Sequence, residues 1–359
     1  MRGAQRVKSV YFRLLLIFIS IFLISSISGL TIYVFPELKY FSVMPLPKNY
    51  SVTVEGVRLG QYLFYDPGLS KDSSLSCSSC HLQSHAFSDA GRRFSKGRNG
   101  TLMKRNTPAL YNLAWFQSYF WDGRAASLEE QIFHPITSAD EMNFSLYDLS
   151  ERLNKNYFYK KKFKEVFQKN EIDSLQIAMA LSQFLRSLIS HESKYDQVIA
   201  GKAYFSKEEY QGFVLANEQT KGDCLHCHPT DGYALGTTGN FSNNGLDSVM
   251  NADNFPDKGR GEITHNREDN GKFKIPSLRN LVFTAPYMHD GRFRTLEEVL
   301  LFYSEQVYPC ANIDSKMRTA RNHGLHLSSD EQKKIVAFLK TMSDSVFIHD
   351  PKYCNPFLD

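Results

Sequence analysis

"TPALYNLAWFQSYFWDGRAASLEE" (residues 107–130) and "IPSLRNLVFTAPYMHDGRFRTLEE" (residues 275–298) align without a gap at a constant offset of 168, with 11 of 24 positions identical. The triplet Asp122-Gly123-Arg124 recurs as Asp290-Gly291-Arg292. A gapless repeat of this length reads as one unit used twice. Ahead of each copy stands a C-x-x-C-H motif, Cys77-Ser-Ser-Cys80-His81 for the first and Cys224-Leu-His-Cys227-His228 for the second.

That spacing is the pattern of covalent c-type haem attachment. Two thiols one turn apart reach the two vinyl groups of one porphyrin, and the adjacent histidine supplies its imidazole to the iron. Four cysteines in two pairs also suit an all-thiolate zinc site, which leaves the histidine after each pair without a role. The expectation is two haem c groups, one held by Cys77, Cys80 and His81 and the other by Cys224, Cys227 and His228. Cys310 and Cys354 remain, either paired in an oxidising compartment or free. His226 sits at a variable position of the second motif and is expected at the surface.

His85 follows His81 by four residues. On a helix that is about 6 Å along the axis, still on the His81 side. Fully extended it is roughly 13–14 Å, hardly enough to round a porphyrin edge. His85 is therefore expected on the proximal side or at the surface. No histidine occurs between Ala86 and Phe133, so the first iron is expected to keep an open distal face.

The N-terminus has a different character. Arg2, Arg6, Lys8 and Arg13 precede Leu14–Phe35, a stretch without a charged residue. Roughly 20 apolar residues span a bilayer, so residues 1–36 read as a membrane anchor or a cleaved signal peptide. Both export the chain, to a bacterial periplasm if the haem reading holds. Without those four charges, 38 basic residues face 38 acidic ones, and no nucleic-acid partner is indicated.

The rest reads as mainly α. Glu171–Leu188 has apolar residues at helical spacing. In "LSSDEQKKIVAFLKTM" (residues 327–342), Ser329 is the expected N-cap with Gln332 three residues on, and Ile335, Phe338, Leu339 and Met342 form one apolar stripe. Gly236–Asn254 reads as loop. The expected organisation is two tandem cytochrome c-like domains, residues 45–200 and 201–345, with a tail over 346–359.

The two haem motifs, "NTPAL", "FWDGRAASLEEQ", "DEM", "IPSLRN" and "TAPYMHDGRFRTLEEV" together resemble the bacterial dihaem cytochrome c peroxidases and MauG, from about Leu59 to Met342. The resemblance implies that His81 and His228 are proximal iron ligands and that Trp121 relays electrons between the haems. It makes Gln131 and Glu141 the distal pair of a peroxidatic first haem. It gives Asn106, Thr284 and Pro286 to a calcium ion completed by water. Where the family's peroxidases carry an axial methionine, this chain has Tyr303, as MauG-like members do; Met288 or water is the other candidate on the second iron. The copies differ at such places: Trp121 faces His289, Gln131 faces Val299 and Pro135 faces Tyr303. The basic loop Arg92, Arg93, Lys96 and Arg98 suits haem propionates, an acidic partner or solvent.

The implied activity is reduction of hydrogen peroxide to water at the first haem, with electrons passing through the second from a small exported donor such as a cytochrome c. The alternatives are MauG-like oxidation of a protein substrate and a dihaem electron carrier without peroxide chemistry. The family's peroxidases are often homodimers.

Overall fold

The computed structural model describes residues 29–230, 235–317 and 323–358. Within them the chain is mainly α. The helices are α1 (Val54–Tyr65), α2 (Leu128–Thr137), α3 (Leu146–Lys155), α4 (Tyr157–Phe167), α5 (Ser174–Ser187), α6 (Lys194–Ile199), α7 (Lys207–Asn217), α8 (Gly261–Thr264), α9 (Leu296–Glu305) and α10 (Ser329–Lys340). Two two-residue strands, β1 (Phe241–Ser242) and β2 (Phe273–Lys274), pair antiparallel with Phe241 opposite Lys274.

The sequence repeat folds the same way twice. Asn112 and its counterpart Asn280 both adopt the left-handed conformation, φ 54° and 58°, and each opens a single 3-10 turn, Leu113–Trp115 and Leu281–Phe283. Tyr119 and Tyr287 donate their hydroxyls to Leu113 O (3.0 Å) and Leu281 O (2.8 Å). Arg124 pairs with Asp122 and Arg292 with Asp290, both at 2.9 Å. Ser127 and Thr295 then cap α2 and α9. The two frames part at one place, where the Ala285–Pro286 peptide is cis and Thr284 has ψ 17° against 142° for its counterpart Phe116.

The apolar side chains form two main cores. The first gathers α1, α2, α4 and α5 around Leu59, Phe64, Phe163 and Phe184. The second gathers α7, α9 and α10 around Leu300, Ile335, Phe338 and Met342. Each core turns on one glycine. A Cβ at Gly60 of α1 would lie 2.0 Å from Ala180 O of α5, and one at Gly212 of α7 would lie 1.8 Å from Lys334 O of α10. Only glycine lets these backbones approach so closely.

Three features go beyond the sequence reading or depart from it. The cap of α10 is Ser328, in a capping box with Glu331; Gln332 instead donates to Leu327 O (2.9 Å), one residue out of the predicted register. Cys310 and Cys354 are both free. Asn243 donates to Cys310 Sγ at 3.6 Å, while Cys354 O accepts from Gln61 of α1 at 2.7 Å, so the two thiols belong to different parts of the fold. Finally, residues 346–358 return to the first core. Phe347 and Tyr353 are buried there, and Tyr353 Oη donates to Ser187 O of α5 (2.8 Å).

Among the described residues no helix is long and apolar enough to cross a membrane. Most of the apolar stretch Leu14–Phe35 lies outside them.

Candidate cofactor cavity and redox site

Both C-x-x-C-H motifs form tight turns. Cys77–Ser79 is one 3-10 turn, and His81 N donates to Cys77 O (3.0 Å). Cys224–His226 repeats it, with His228 N donating to Cys224 O (3.0 Å). Each imidazole is then fixed from behind. His81 Nδ1 lies 2.8 Å from Phe87 O, and His228 Nδ1 lies 2.9 Å from Pro276 O and 3.2 Å from Gly236 O. A carbonyl accepts only from N–H, so the proton sits on Nδ1 and Nε2 keeps its lone pair for a metal. Burial lowers both imidazoles from their ordinary value, His228 to about 4, which keeps them neutral.

The stretch after His81 is a hairpin-like loop around one 3-10 turn (Gln83–His85) and not an α-helix. Leu82 N donates to Ser88 O (3.0 Å), and Phe87, with φ 59°, delivers its carbonyl back to His81. His85 closes the turn with Nδ1 3.0 Å from Ser84 Oγ and is not part of the cavity wall.

One continuous cavity of about 1080 Å³ opens between the two cores. A single small-molecule pocket holds roughly 300–1,000 Å³, so this one exceeds the room one ligand requires. All four motif cysteines, His81 and His228 line it, as do Trp121, Gln131, Glu141, Tyr303, Asn106, Thr284 and Pro286. Burial pushes the Cys77 and Cys224 thiols up to about 12, an environment for uncharged sulfur. Among the described residues no group of three or more His, Cys, Asp or Glu side chains is placed to hold a metal ion, so the four-thiolate zinc alternative is not built. Two cysteine pairs, each with a lone-pair-bearing histidine on a largely apolar cavity, fit two haem c groups.

The first half of the cavity carries the acid–base groups. Gln131 projects from α2, and Glu141 from the turn after it, where Glu141 N donates to Ser138 O (3.1 Å). Burial lifts the Glu141 carboxyl above its ordinary value, with Arg124 opposing. Of the histidines in residues 29–200, only His81 lines the cavity among the described residues; His134 packs edge-on to Phe120 at 5.2 Å. The four basic residues of the loop, Arg92, Arg93, Lys96 and Arg98, are not on the wall, although Ser95 and Gly97 between them are. Arg93 pairs with Asp290 (3.0 Å), Arg92 with Asp89 (3.2 Å) and Arg98 with Asp72 (3.4 Å).

Trp121 stands where the halves meet. Its Nε1 donates to Asn106 O (2.8 Å), and its own carbonyl accepts from Lys274 N (2.7 Å). Asn106 N donates to His289 O (2.7 Å), and Asn106 Nδ2 donates to Arg93 O (3.1 Å). On the second side, Asn244 Nδ2 donates to Tyr303 Oη (2.9 Å) and lies 3.8 Å from Met288 Sδ. Burial pushes the Tyr303 phenol up to about 12, with Asn244 opposing.

One cavity residue escaped sequence reasoning, and another is noted there without a role. Lys274 Nζ donates to Ser118 O (3.0 Å) and lies 5.0 Å from the Phe116 ring centroid; burial lowers its ammonium to about 8. It stands one residue before the repeat begins, opposite Asn106 at the same offset, a residue of different character. His289 stacks on Phe273 with centroids 3.6 Å apart. Its place opposite Trp121 in the repeat was the signal.

A family model described as di-haem cytochrome c peroxidase matches residues 54–204. The methylamine utilization protein MauG of Methylophilus methylotrophus is 33% identical over 302 residues, covering 83% of this chain and 85% of that protein. Cytochrome c551 peroxidase of Nitrosomonas europaea is 33% identical over 310 residues, covering 83% and 84%. A solved MauG-like protein associated with microbial copper homeostasis superposes with a TM-score of 0.83 at 32% identity, covering 90% of this chain and 99% of that one. The chain belongs to the dihaem cytochrome c peroxidase and MauG family and is a peroxidase-type oxidoreductase.

Proposed function

We propose that the chain reduces hydrogen peroxide to water in the first half of the cavity, with electrons arriving through the second half from a small exported cytochrome c. Residues 45–200 and 201–345 are then two cytochrome c-like domains, each with one haem c. The haem irons, when bound, supply the electron exchange. The observation that carries the reading is Glu141, a carboxyl with a raised pKa on the same cavity wall as Cys77, Cys80 and His81. Peroxide reduction needs a group that takes a proton from one peroxide oxygen and returns it to the other, and a positioned carboxylate does this. Gln131 orients the bound oxygens by hydrogen bonds. Trp121, tied to both halves, is the relay between them.

Asn106, Thr284 and Pro286 border the same cavity, consistent with a water-completed calcium site beside Trp121. Residues 1–36 export the chain to the periplasm, as an anchor or a signal peptide.

Tyr303 favours a second reading, MauG-like oxidation of a protein substrate. A phenolate ligand stabilises the higher iron states, which such chemistry requires. Peroxide-dependent oxidation of a reduced small cytochrome c by the holoprotein separates the readings. Steady turnover supports the peroxidase. An open high-spin haem without turnover favours a protein substrate, and two closed low-spin haems that stay closed on reduction leave only an electron carrier.

A further inference from the structure

Positive charge is concentrated on one face outside the cavity wall. Residues 154–170, "NKNYFYKKKFKEVFQKN", hold six lysines against a single acid, Glu165. Helix α4 buries Tyr159, Phe163 and Val166 against the first core. That turns Lys160, Lys161 and Lys164 outward, all exposed. Tyr157, at the start of the helix, is 82% exposed, and Leu358 nearby in the tail is 83% exposed. Phe158 meets Tyr62 edge-on at 5.0 Å, and Tyr62 meets Phe357 at 5.3 Å, so aromatic rings join α4, α1 and the tail into one patch. None of the α4 lysines, Tyr157 or Leu358 lines the cavity.

A second observation relates this patch to the apolar N-terminal stretch. Thr31 N donates to Glu55 Oε2 of α1 at 2.9 Å, and Lys162 of α4 acts electrostatically on the same carboxylate. The apolar run therefore joins the fold at the start of α1, within electrostatic range of Lys162 of α4, with Val34 left 86% exposed.

We propose that the α4 face rests on an anionic phospholipid surface. Tyr157, Phe158 and Leu358 enter the headgroup boundary while Lys160, Lys161 and Lys164 meet the phosphates. Exposed aromatics among lysines are the pattern of interfacial binding, and a polybasic segment beside a membrane segment is held by anionic lipid. An acidic protein would satisfy the lysines but would not explain why the apolar stretch ends beside them. The choice of lipid over an acidic protein rests on the reading of residues 14–35 as a membrane segment; the exposed lysine and aromatic patch does not.

Amine labelling read by mass spectrometry tests this on the full holoprotein in nanodiscs of phosphatidylcholine with or without phosphatidylglycerol. Labelling of Lys160, Lys161 and Lys164 is expected to fall about fivefold or more with the anionic lipid and to recover in high salt. Labelling of Lys202 and Lys333 on the second half is expected to stay unchanged. In the K160E/K161E/K164E variant, the lipid-dependent protection of Lys155 and Lys169 is expected to disappear. Equal labelling in both discs overturns the proposal. So does protection in neutral discs caused by added reduced cytochrome c, which assigns the face to a protein. Retention on the disc after a high-salt wash reports the apolar segment separately.

Discussion

Trp121 Nε1 donates to Asn106 O at 2.8 Å, and Asn106 N donates across to His289 O at 2.7 Å. These bonds fix the indole at the junction of the halves, with Lys274 N holding its carbonyl from the other side. W121F keeps the ring in place but loses one hydrogen bond, a cost of about 1 kcal/mol. Its main effect is expected on electron passage. Turnover with reduced cytochrome c should fall at least about tenfold, which equals 1.4 kcal/mol of barrier, while both haem absorbances persist. Steady-state assay and absorption spectra check this.

Tyr303 and Met288 share Asn244 as a neighbour, and the Tyr303 phenol is pushed up to about 12 by burial. A phenol this reluctant to ionise becomes a phenolate only beside a cation. Y303F is expected to raise the midpoint potential of the second haem, and Y303M to raise it further, because the anionic ligand that favours ferric iron is gone. Potentiometric titration reads both. An unchanged potential in Y303F would place Met288 or water on that iron.

Lys274 titrates at about 8 in the folded chain, below its ordinary 10.5. Between those values the unfolded state binds more protons, so stability rises with pH across this window. The charged ammonium thus weighs against folding most strongly below pH 8. K274M is expected to raise the melting temperature at pH 7 and to lose that advantage towards pH 10. Thermal melts across the range measure it.

Gly212 and Gly60 set the helix crossings of the two cores. A methyl group at Gly212 would fall 1.8 Å from Lys334 O, which forces α7 away from α10. G212A should destabilise by about 1–3 kcal/mol, as overpacking does, and should weaken the second haem environment before the first. Denaturant unfolding followed at each haem's absorbance resolves the order.

Much of this arrangement was legible because it is local or repeated. The C-x-x-C-H turns need five residues, and the offset of 168 carried Tyr119, Asp122 and Ser127 onto Tyr287, Asp290 and Thr295 in the structure. Long-range packing was not legible. Nothing in "FKIP" shows that Lys274 will aim at Ser118 O, because that contact depends on how the two halves dock. The tail was equally silent. Phe347 and Tyr353 read as an appendix, yet they fill the first core beside Phe87. The α10 cap slipped by one residue because Ser328 and Ser329 are both competent caps. Glu331 decided it by closing the box with Ser328. Cys310 and Cys354 have an even count in their favour but no shared neighbourhood.

Glu141 is the residue on which proton transfer in the cavity depends. Its carboxyl is raised above the ordinary glutamate value by burial, so the ionised form that accepts the peroxide proton is lost at a higher pH than for an exposed glutamate. The kcat/KM for hydrogen peroxide, measured against pH with reduced cytochrome c in the wild type and E141Q, tests this directly. An acidic limb above 4.5 is expected in the wild type. E141Q is expected to lose the limb and to fall by about 10²-fold or more at neutral pH. An E141Q enzyme with the wild-type rate and the same limb would contradict this role of Glu141.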